Sequence, residues 1–250
     1  MKKMAILIPT FNESLTIVEQ LRKLEVFRSA SKDIIDVLVI DDNSPDKTAD
    51  LVDNLNLPWV QVLHRPFKAG LGAAYRAGFI QVLQDDSYTH VITMDADGSH
   101  RVEDLPSLLA AIKHGRSITL GTRWMAGGRV VNWPRSRQLL SKTGTKYAKF
   151  ALKLDLNDLT GGFRVYSVEL LRALNLKDMQ ATGYCFQIEM AMAADLAGAA
   201  ATEVPITFVE RMNGTSKMTK TIVIEALIQI TRWGLVRRLR PNADKSHYVK

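Results

Sequence analysis

The chain has a single cysteine, Cys185, so it cannot form an internal disulfide. That excludes a disulfide-stapled secreted scaffold and makes a reducing compartment the default expectation. Apolar runs are short. The first one, Met4–Pro9, is interrupted by Asn12 and Glu13 and is too short for the core of a signal peptide. No run approaches the ~18 to 20 apolar residues that a bilayer span requires. If a membrane matters to this chain, we expect contact with its surface.

Two common nucleotide-binding signatures are also missing. The first predicted strand leads into the residues PTFNE at 9–13 rather than into GxGxxG, and GxxxxGK[ST] occurs nowhere in the sequence. The residues GLG at 70–72 precede a predicted helix without a third glycine, which fits either a tight turn or a close backbone approach to a ligand. Redox dinucleotide binding and P-loop chemistry are therefore disfavoured.

Positive charge is in excess, and it is concentrated in two blocks. The 250 residues carry 33 Lys and Arg against 26 Asp and Glu, a formal net charge of +7. Residues 123–154 contain eight basic and no acidic side chains, and residues 211–250 contain nine basic and two acidic ones. An acidic stretch separates the blocks, so a uniform basic coat for nucleic acid is not expected, although folding could bring both blocks to one face.

The spacing of apolar residues predicts an α/β fold. Strands are expected at Met4–Pro9, Asp36–Asp42, 60–65, His90–Asp97, 117–123, 159–166 and Thr202–Val209. Helices are expected from about Asn12 onward, at Asp46–Leu55, at Leu71–Leu83, at about Ser136–Leu154 and at Phe186–Ala197, with a loop at 124–135. Alternating strands and helices imply a mostly parallel sheet covered on both faces, with ligands at the carboxyl ends of its strands.

Carboxylates cluster at two of these predicted strand ends. Asp41 and Asp42 end one strand, and Asp95 and Asp97 end another. Four acids so placed would repel one another unless a cation or basic groups offset them. Residues two apart on a strand point to one side, so the DxD pattern can present both acids together, and such oxygen ligands suit Mg²⁺ or Mn²⁺. A solvated turn is the alternative, and His100 is either a further ligand or a structural residue.

The first basic block contains a predicted helix on which Arg137 and Ser141 lie four residues apart, and therefore on one face near the helix N-terminus. Helix N-termini attract anions, so the pair is a candidate phosphate site, with a solvated basic face as the alternative. Four lysines follow at residues 142–153, and we expect them to contact lipid headgroups or solvent.

The second basic block is predicted as an amphipathic helix over residues 216–240, followed by a tail at 241–250. Apolar residues cover a wide surface between 222 and 236, and three arginines follow at 237–240. Trp233 and an arginine cluster beside an apolar helix suit a membrane interface. Packing into the core or docking to a partner is the alternative.

Several ordered motifs carry a family resemblance. In the first half these are PTFNE (9–13), IDDNSPDKT (40–48), KAGLGAAYRAG (68–78), MDADGSH (94–100) and GTR (121–123). They resemble family 2 glycosyltransferases of the GT-A fold, which are Rossmann-like. The second half contains NWPRSRQLLSK (132–142), DLTGGFRVY (158–166), GYCFQIEM (183–190) and EVPITFVERMNGTSK (203–217). Those motifs resemble polyprenyl- and dolichol-phosphate mannose synthases.

The resemblance implies a role for each matching residue. On the nucleotide-sugar it places Pro9, Phe11, Glu13, Ile40, Asp42, Asp95, Ala96, Asp97, Arg211 and Lys217. On the acceptor phosphate it places Arg123, Arg137 and Ser141. Asp95 and Asp97 would hold Mg²⁺ or Mn²⁺, and Asp97 and Arg123 would be catalytic. Because a phosphate acceptor is already anionic, it would need no general base.

The expected protein is therefore a metal-dependent, inverting enzyme that transfers mannose from GDP-mannose to a polyprenyl monophosphate. It would have a glycosyltransferase domain at 1–215 and would lie peripherally on the cytosolic face of a membrane. A separate membrane-anchoring protein is a candidate partner, and nucleic acid is not. The alternatives are a polyprenyl-phosphate glucose synthase that uses UDP-glucose, and a nucleotidyltransferase that releases pyrophosphate. A basic nucleic-acid-binding module lacks any motif for that role in this chain.

Overall fold

Strand β1, Lys3–Thr10, is buried along most of its length, which is typical of a strand covered on both faces. The structure is a computed structural model that describes residues 1–181, 183–210 and 220–250. In it Ala5 and Leu7 belong to one hydrophobic cluster, and Ile6 and Ile8 belong to another. Because successive side chains of a strand point to opposite faces, the central sheet has a core on each side.

In the described residues, seven strands form the central sheet in the order β3-β2-β1-β4-β7-β5-β8, and two form a small parallel sheet, β6-β9. The remaining strands are β2 Ile34–Asp41, β3 Val60–His64, β4 His90–Thr93, β5 Ser117–Thr122, β6 Arg129–Val131, β7 Arg164–Ser167, β8 Ala200–Pro205 and β9 Thr207–Val209. Neighbours in the central sheet are parallel except β7, which runs antiparallel to both β4 and β5. The predicted mostly parallel sheet is thus confirmed.

Helices cover both faces of this sheet. They are α1 Ile17–Ala30, α2 Thr48–Asp53, α3 Leu71–Val82, α4 Leu105–Ala110, α5 Arg135–Leu152, α6 Val168–Ala173, α7 Gly183–Leu196, α8 Lys220–Leu239 and α9 Pro241–Tyr248, with a 3₁₀ turn at Val102–Asp104. Residues of α3, α5, α6 and α7 belong to the cluster on one face, and residues of α1, α2 and α4 belong to the other.

Some boundaries differ from those that the sequence predicts. Helix α1 begins at Ile17 rather than near Asn12, because Asn12 adopts a left-handed conformation (φ 60°) in the turn that follows β1. The single strand expected at 202–209 is two strands: β8 joins the central sheet, and β9 pairs with β6 instead. Residues 241–250, expected as a tail, contain α9 and a bridge between Val249 and Leu174.

Helix α8 packs on one side and is exposed on the other, so the core-packing alternative holds for one face, and membrane contact of the other face stays a prediction. Ile230 and Trp233 are buried, and Gly234 brings α8 close to α5, since a Cβ at that position would lie 2.7 Å from the Ala151 carbonyl oxygen. Ile228 is 64% exposed. In the parts of the chain that the structure describes, none of the helices combines the length and the hydropathy needed to cross a bilayer.

Candidate active site

Asp95 and Asp97 follow the carboxyl end of β4, where the chain leaves the sheet. Both line a cavity of about 350 Å³ at this edge, which we call the smaller cavity. The Ser99 N–H donates to Asp97 Oδ1 at 3.0 Å, and Gly98, with φ 76°, makes the turn between them. The structure therefore brings the two carboxylates of the DxD pattern to one place.

His100 lies behind Asp95 and fixes its backbone. The Asp95 N–H donates to His100 Nδ1 at 3.0 Å, and His100 Nε2 lies 3.7 Å from Asp95 Oδ2. The imidazole is 1% exposed and stacks on the Phe163 ring at 4.9 Å. Because Nδ1 accepts a hydrogen bond, the neutral ring carries its proton on Nε2, facing the carboxylate. Of the two roles left open for His100, this geometry favours the structural one.

The acids at the end of β2 are bonded locally. Asp41 is buried, and its carboxylate accepts hydrogen bonds from Thr10 Oγ1 at 2.8 Å and from Ser44 Oγ at 2.6 Å. Asp42 forms an ion pair with Arg65, and its Oδ2 accepts the Ala69 N–H at 3.1 Å. Asp42 is thus balanced by a guanidinium, and Asp41 is satisfied by neutral donors. The expectation of a metal ion, drawn from all four acids, is limited to Asp95 and Asp97.

Two carboxylates are too few to enclose a cation. Within the described part of the chain, no group of three or more His, Cys, Asp or Glu side chains is placed to hold a metal ion. Asp95 and Asp97 nevertheless supply the oxygen ligands that Mg²⁺ and Mn²⁺ prefer. A site of this kind fits an ion that takes its other ligands from water and a substrate phosphate.

The smaller cavity collects most of the residues predicted to bind substrates. Those that line it are Pro9, Phe11, Glu13, Asp42, Asp95, Ala96, Asp97, Arg123 and Arg137. Lys68 joins them, with Nζ 3.9 Å from the centre of the Phe11 ring. Ile40 does not reach the cavity: its side chain is fully buried in the core below. Arg211 and Lys217 lie outside the described residues.

Arg123, directly after β5, is locked in place by a buried carboxylate. Its Nε and Nη2 donate to Asp158 at 2.6 and 2.8 Å, and Nη2 also donates to Thr160 Oγ1 at 2.8 Å. Burial opposes ionisation of Asp158, but the Arg123 guanidinium and hydrogen bonds from the Arg123 and Thr160 N–H groups hold its pKa below the ordinary value. The loop after α5 therefore supplies the counterion of this arginine.

Aromatic rings surround the two predicted phosphate-binding arginines. The Trp133 ring has the Arg137 guanidinium 4.1 Å from its centre and the Arg123 guanidinium at 5.2 Å. Phe208 packs edge-on against Trp133 at 5.3 Å, and Trp124 also lies near Arg123. Cation–π contacts of this kind hold a guanidinium in place without using its N–H donors, which here serve Asp158 and Thr160 in Arg123 and Glu210 in Arg137.

Arg137 and Ser141 lie near the start of α5, as the sequence predicts, but they face different neighbours. Arg137 lines the smaller cavity and forms an ion pair with Glu210. Ser141 is buried, and its Oγ lies 3.5 Å from Thr160 Oγ1, which in turn accepts from Arg123. Ser141 is therefore linked to Arg123 through Thr160 rather than to Arg137.

A second cavity, of about 920 Å³, lies among α5, α7, α8 and α9, and we call it the larger cavity. Its walls include Leu140, Ile188, Leu227 and Val236. The two cavities share wall residues, which are Arg123, Trp133, Thr160 and Gly183. Charged side chains such as Glu189, Glu225 and Arg232 also line the larger cavity. The cavity that contains the DxD acids thus meets a larger, helix-lined cavity with both apolar and charged walls at Arg123.

Several of these residues were not singled out from the sequence. They are Lys68, Trp133, Asp158, Thr160, Phe208 and Glu210. All lie within the quoted motifs, so the motifs located them. Their roles depend on pairings between distant segments, such as Arg123 with Asp158 and Arg137 with Glu210, and a single sequence carries no signal for such pairings.

Comparison with known proteins identifies the family of this chain. The sequence model of Glycosyl transferase family 2 matches residues 5–174, and the chain belongs to this family. The undecaprenyl-phosphate mannosyltransferase of Micrococcus luteus is 45% identical, over 93% of this chain and 94% of the relative. The polyprenol monophosphomannose synthase of Mycolicibacterium smegmatis is 42% identical, over 94% of this chain and 88% of the relative.

Solved structures confirm the fold. Glucosyl-3-phosphoglycerate synthase from Mycobacterium tuberculosis, crystallised with Mn²⁺, uridine diphosphate and phosphoglyceric acid, superposes with a TM-score of 0.64. That likeness covers 95% of this chain and 78% of the other, at 16% sequence identity. The expected GT-A arrangement, with its Rossmann-like sheet, is thus confirmed, and the chain is a glycosyltransferase.

Proposed function

We propose that this enzyme transfers mannose from GDP-mannose to a polyprenyl monophosphate, with inversion at the anomeric carbon. The observation that carries the proposal is the junction of the two cavities at Arg123. A nucleotide-sugar needs a polar site with acids for a cation, and a lipid phosphate needs cationic groups beside an apolar surface. The names of the relatives, an undecaprenyl-phosphate mannosyltransferase and a polyprenol monophosphomannose synthase, support this choice of acceptor and sugar.

The smaller cavity suits the donor. Phe11 offers a ring face, Lys68 a cation and Asp42 a fixed carboxylate at the end of β2, where the nucleoside would bind. Asp95 and Asp97 would hold Mg²⁺ or Mn²⁺ against the diphosphate. The cation would supply charge stabilisation for the departing GDP. The crystallised Mn²⁺ complex of the Mycobacterium tuberculosis glucosyltransferase supports a divalent ion at a fold of this kind.

The acceptor phosphate would lie at Arg123, with Arg137 and Ser141 nearby. One phosphate oxygen attacks the anomeric carbon from the side opposite the GDP, a new carbon–oxygen bond forms, and the bond to the diphosphate oxygen breaks. The attacking oxygen is already anionic, so no side chain has to remove a proton. Arg123 would present a guanidinium, oriented by Asp158, at the place where the phosphates of the two substrates meet.

The polyprenyl chain would follow the larger cavity toward a membrane-facing surface of α5 and α8. Exposed apolar side chains on these packed helices are Leu139, Leu140, Phe150, Ile224, Leu227, Ile228, Leu235 and Leu239. Arg238 lies beside Phe150, whereas Arg237 pairs with Asp195 of α7 and so has a structural contact. Apolar side chains flanked by cationic ones bind lipid surfaces. For this reason we propose that this surface contacts the cytosolic face of a membrane.

The membrane surface is tested by vesicle binding. Leu239→Ser should weaken partition of the protein into vesicles with anionic lipid by roughly 3- to 10-fold, because Leu239 is 76% exposed and would insert. Val26→Ser, at a similarly exposed apolar position of α1, is the matched control and should have no effect. Equal losses for both variants would remove α8 from the proposed surface.

The activity itself is tested with labelled GDP-mannose or UDP-glucose and a polyprenyl phosphate, with and without EDTA. Labelled mannose in the organic phase, lost with EDTA and restored by Mg²⁺ or Mn²⁺, is the expected result. Transfer from UDP-glucose alone would establish the glucose synthase instead. Pyrophosphate release from a nucleoside triphosphate would indicate a nucleotidyltransferase.

A further inference from the structure

The two arginines assigned to the acceptor phosphate are each paired with a carboxylate, but the two pairs are built differently. Arg123 and Asp158 have side chains that are 5% and 0% exposed, and they are joined by two parallel hydrogen bonds. Asp158 Oδ1 also accepts the N–H groups of Thr160 and Gly161 at 3.2 and 3.1 Å. A buried bidentate pair of this kind does not exchange its partner, because separation would leave a charge without compensation.

Arg137 and Glu210 form the opposite kind of pair. Their side chains are 18% and 25% exposed, and they are joined through Nη1 and Oε1. The buried Nε of Arg137 has no hydrogen-bond partner among the described residues. The Arg137 guanidinium rests on the Trp133 ring, and the Glu210 backbone is fixed by an N–H bond to the Val131 carbonyl at 3.0 Å. The Glu210 carboxylate can therefore turn away while Arg137 stays over the ring.

We propose that Glu210 is a displaceable counterion that the acceptor phosphate replaces on Arg137. This inference rests on the proposed function, because it assumes that the acceptor is a phosphate monoester. Such a group carries about −1.5 to −2 charges near pH 7, against −1 for a carboxylate, and its oxygens can engage a guanidinium bidentately. A partly exposed ion pair with one hydrogen bond is weaker than a buried bidentate pair, so a dianion can exchange with it.

Glu210 then acts as a specificity-determining residue. An anion that carries a single charge gains little by replacing a carboxylate, whereas a phosphate monoester gains the stronger interaction. The acidic group thereby disfavours weak anions at Arg137 without preventing the correct acceptor from binding. Neither Arg137 nor Glu210 would be left with an uncompensated charge in the absence of substrate.

The substitution Glu210→Gln tests this, because it removes the competing charge and keeps the shape of the side chain. Farnesyl phosphate, a short isoprenyl monophosphate, is the probe, and quenching of tryptophan fluorescence reports its binding without turnover, since Trp133 lies beside Arg137. We expect Glu210→Gln to bind farnesyl phosphate roughly 3- to 10-fold more tightly than the unaltered protein. The affinity for GDP-mannose should change less than the affinity for farnesyl phosphate, because Glu210 lines the smaller cavity but competes directly only for Arg137.

Two controls isolate the effect. Glu103→Gln makes the same chemical change at an exposed residue that pairs with Arg101, outside both cavities, and should leave binding unchanged. When Arg137 is replaced by Ala, Glu210→Gln should no longer strengthen the binding of farnesyl phosphate, because the guanidinium for which Glu210 and the phosphate compete is absent. The unfolding temperature of each variant shows that it is folded.

The outcomes separate this inference from the proposed function. Equal or weaker binding of farnesyl phosphate to Glu210→Gln overturns the displaceable counterion, and a weaker value means that Glu210 supports the site. If Glu210→Gln binds farnesyl phosphate more tightly but the unaltered enzyme transfers no mannose from GDP-mannose, the displaceable counterion is supported and the proposed function is overturned. Absence of binding to every variant overturns both.

Discussion

The two cavities that meet at Arg123 are held together in different ways. The smaller one lies at the edge of the sheet, where residues that follow β1, β2, β4 and β5 form part of its wall. Two of its acids have partners nearby, because Asp97 accepts the Ser99 N–H and Asp42 pairs with Arg65 after the adjacent strand β3. The larger one lies among four helices, three of which come from the last 68 residues. The smaller cavity therefore depends on the edge of the sheet, and the larger one depends on the packing of helices.

This difference gives each part of the molecule its own weak point. In the smaller cavity, loss of either Asp95 or Asp97 is expected to weaken the proposed cation binding, while hydrogen bonds of the Asp95 and Ser99 N–H groups fix the backbone around them. Many side chains form the wall of the larger cavity, so we expect no single substitution there to abolish binding of the lipid. Arg123 lines both cavities, so a substitution that disrupts its ion pair should lower the stability of the fold as well as the rate of transfer.

The largest effect is expected at this junction. Asp158→Asn removes the charge that balances buried Arg123, and the free energy of unfolding should fall by about 3 to 5 kcal/mol. For a chain of this size that corresponds to a fall in Tm of roughly 6 to 20 °C, measurable by calorimetry. Asp155→Asn, at the exposed partner of Lys149, is the matched control and should leave Tm unchanged. Equal Tm values for the two variants would show that the pair contributes little.

The same pair predicts a dependence of stability on pH. Because the pKa of Asp158 is lower in the folded state than in the unfolded chain, its contribution is fully present above the unfolded pKa, near 4. That contribution is lost as the pH falls through the folded pKa. We therefore expect the difference in Tm between the unaltered protein and Asp158→Asn to be constant from pH 5 to 8 and to shrink below about pH 4.

The next largest effect is expected in the smaller cavity. Asp97→Ala removes one of two proposed metal-binding carboxylates, and turnover should fall at least ~100-fold with little change in Tm. The measurement is transfer of labelled mannose across a Mn²⁺ titration. Turnover near that of the unaltered enzyme at saturating Mn²⁺ would contradict the assignment.

The contrast between the cavities also explains what the sequence could and could not predict. The DxD pattern, the strand before it and the shared edge of β1, β2 and β4 follow from local alternation and from the rule that parallel strands end together. Asp95 and Asp97 were therefore placed at a site without knowledge of any contact. Ile40 shows the limit of motif matching, because it lies in the IDDNSPDKT motif and yet packs into the core.

The pairings across the junction could not be predicted in the same way. Arg123 and Asp158 are 35 positions apart, and Arg137 and Glu210 are 73 apart. Which acid meets which arginine is decided by how β7 inserts antiparallel between β4 and β5 and by the split of the predicted strand into β8 and β9. Both features depend on contacts between distant segments, and the spacing of apolar residues in the sequence does not reveal such contacts. Arg137 and Ser141 lie one turn apart on α5, but their partners lie on other elements, and their joint role at the acceptor phosphate stays a prediction.

A smaller effect is expected from Arg137. Arg137→Ala should raise the KM for the polyprenyl phosphate by roughly 10-fold and leave the KM for GDP-mannose nearly unchanged, because Arg123 remains to bind the phosphate. Arg135→Ala, at an exposed position on the same helix, is the matched control. An increase confined to the KM for GDP-mannose would reassign Arg137 to the donor.

The smallest effect uses Cys185, the single cysteine of the chain and part of the wall of the larger cavity. Burial raises the pKa of its thiol to about 11, so alkylation by iodoacetamide should be slow at pH 8 and should accelerate about 10-fold per pH unit up to pH 10. Farnesyl phosphate should slow this reaction by roughly 2- to 5-fold by covering the thiol, and GDP-mannose alone should not. Protection of Cys185 by GDP-mannose rather than by farnesyl phosphate would mean that the larger cavity binds the donor and not the acceptor. Because Cys185 is the single thiol of the chain, mass spectrometry of the intact chain is sufficient to measure the rate of alkylation.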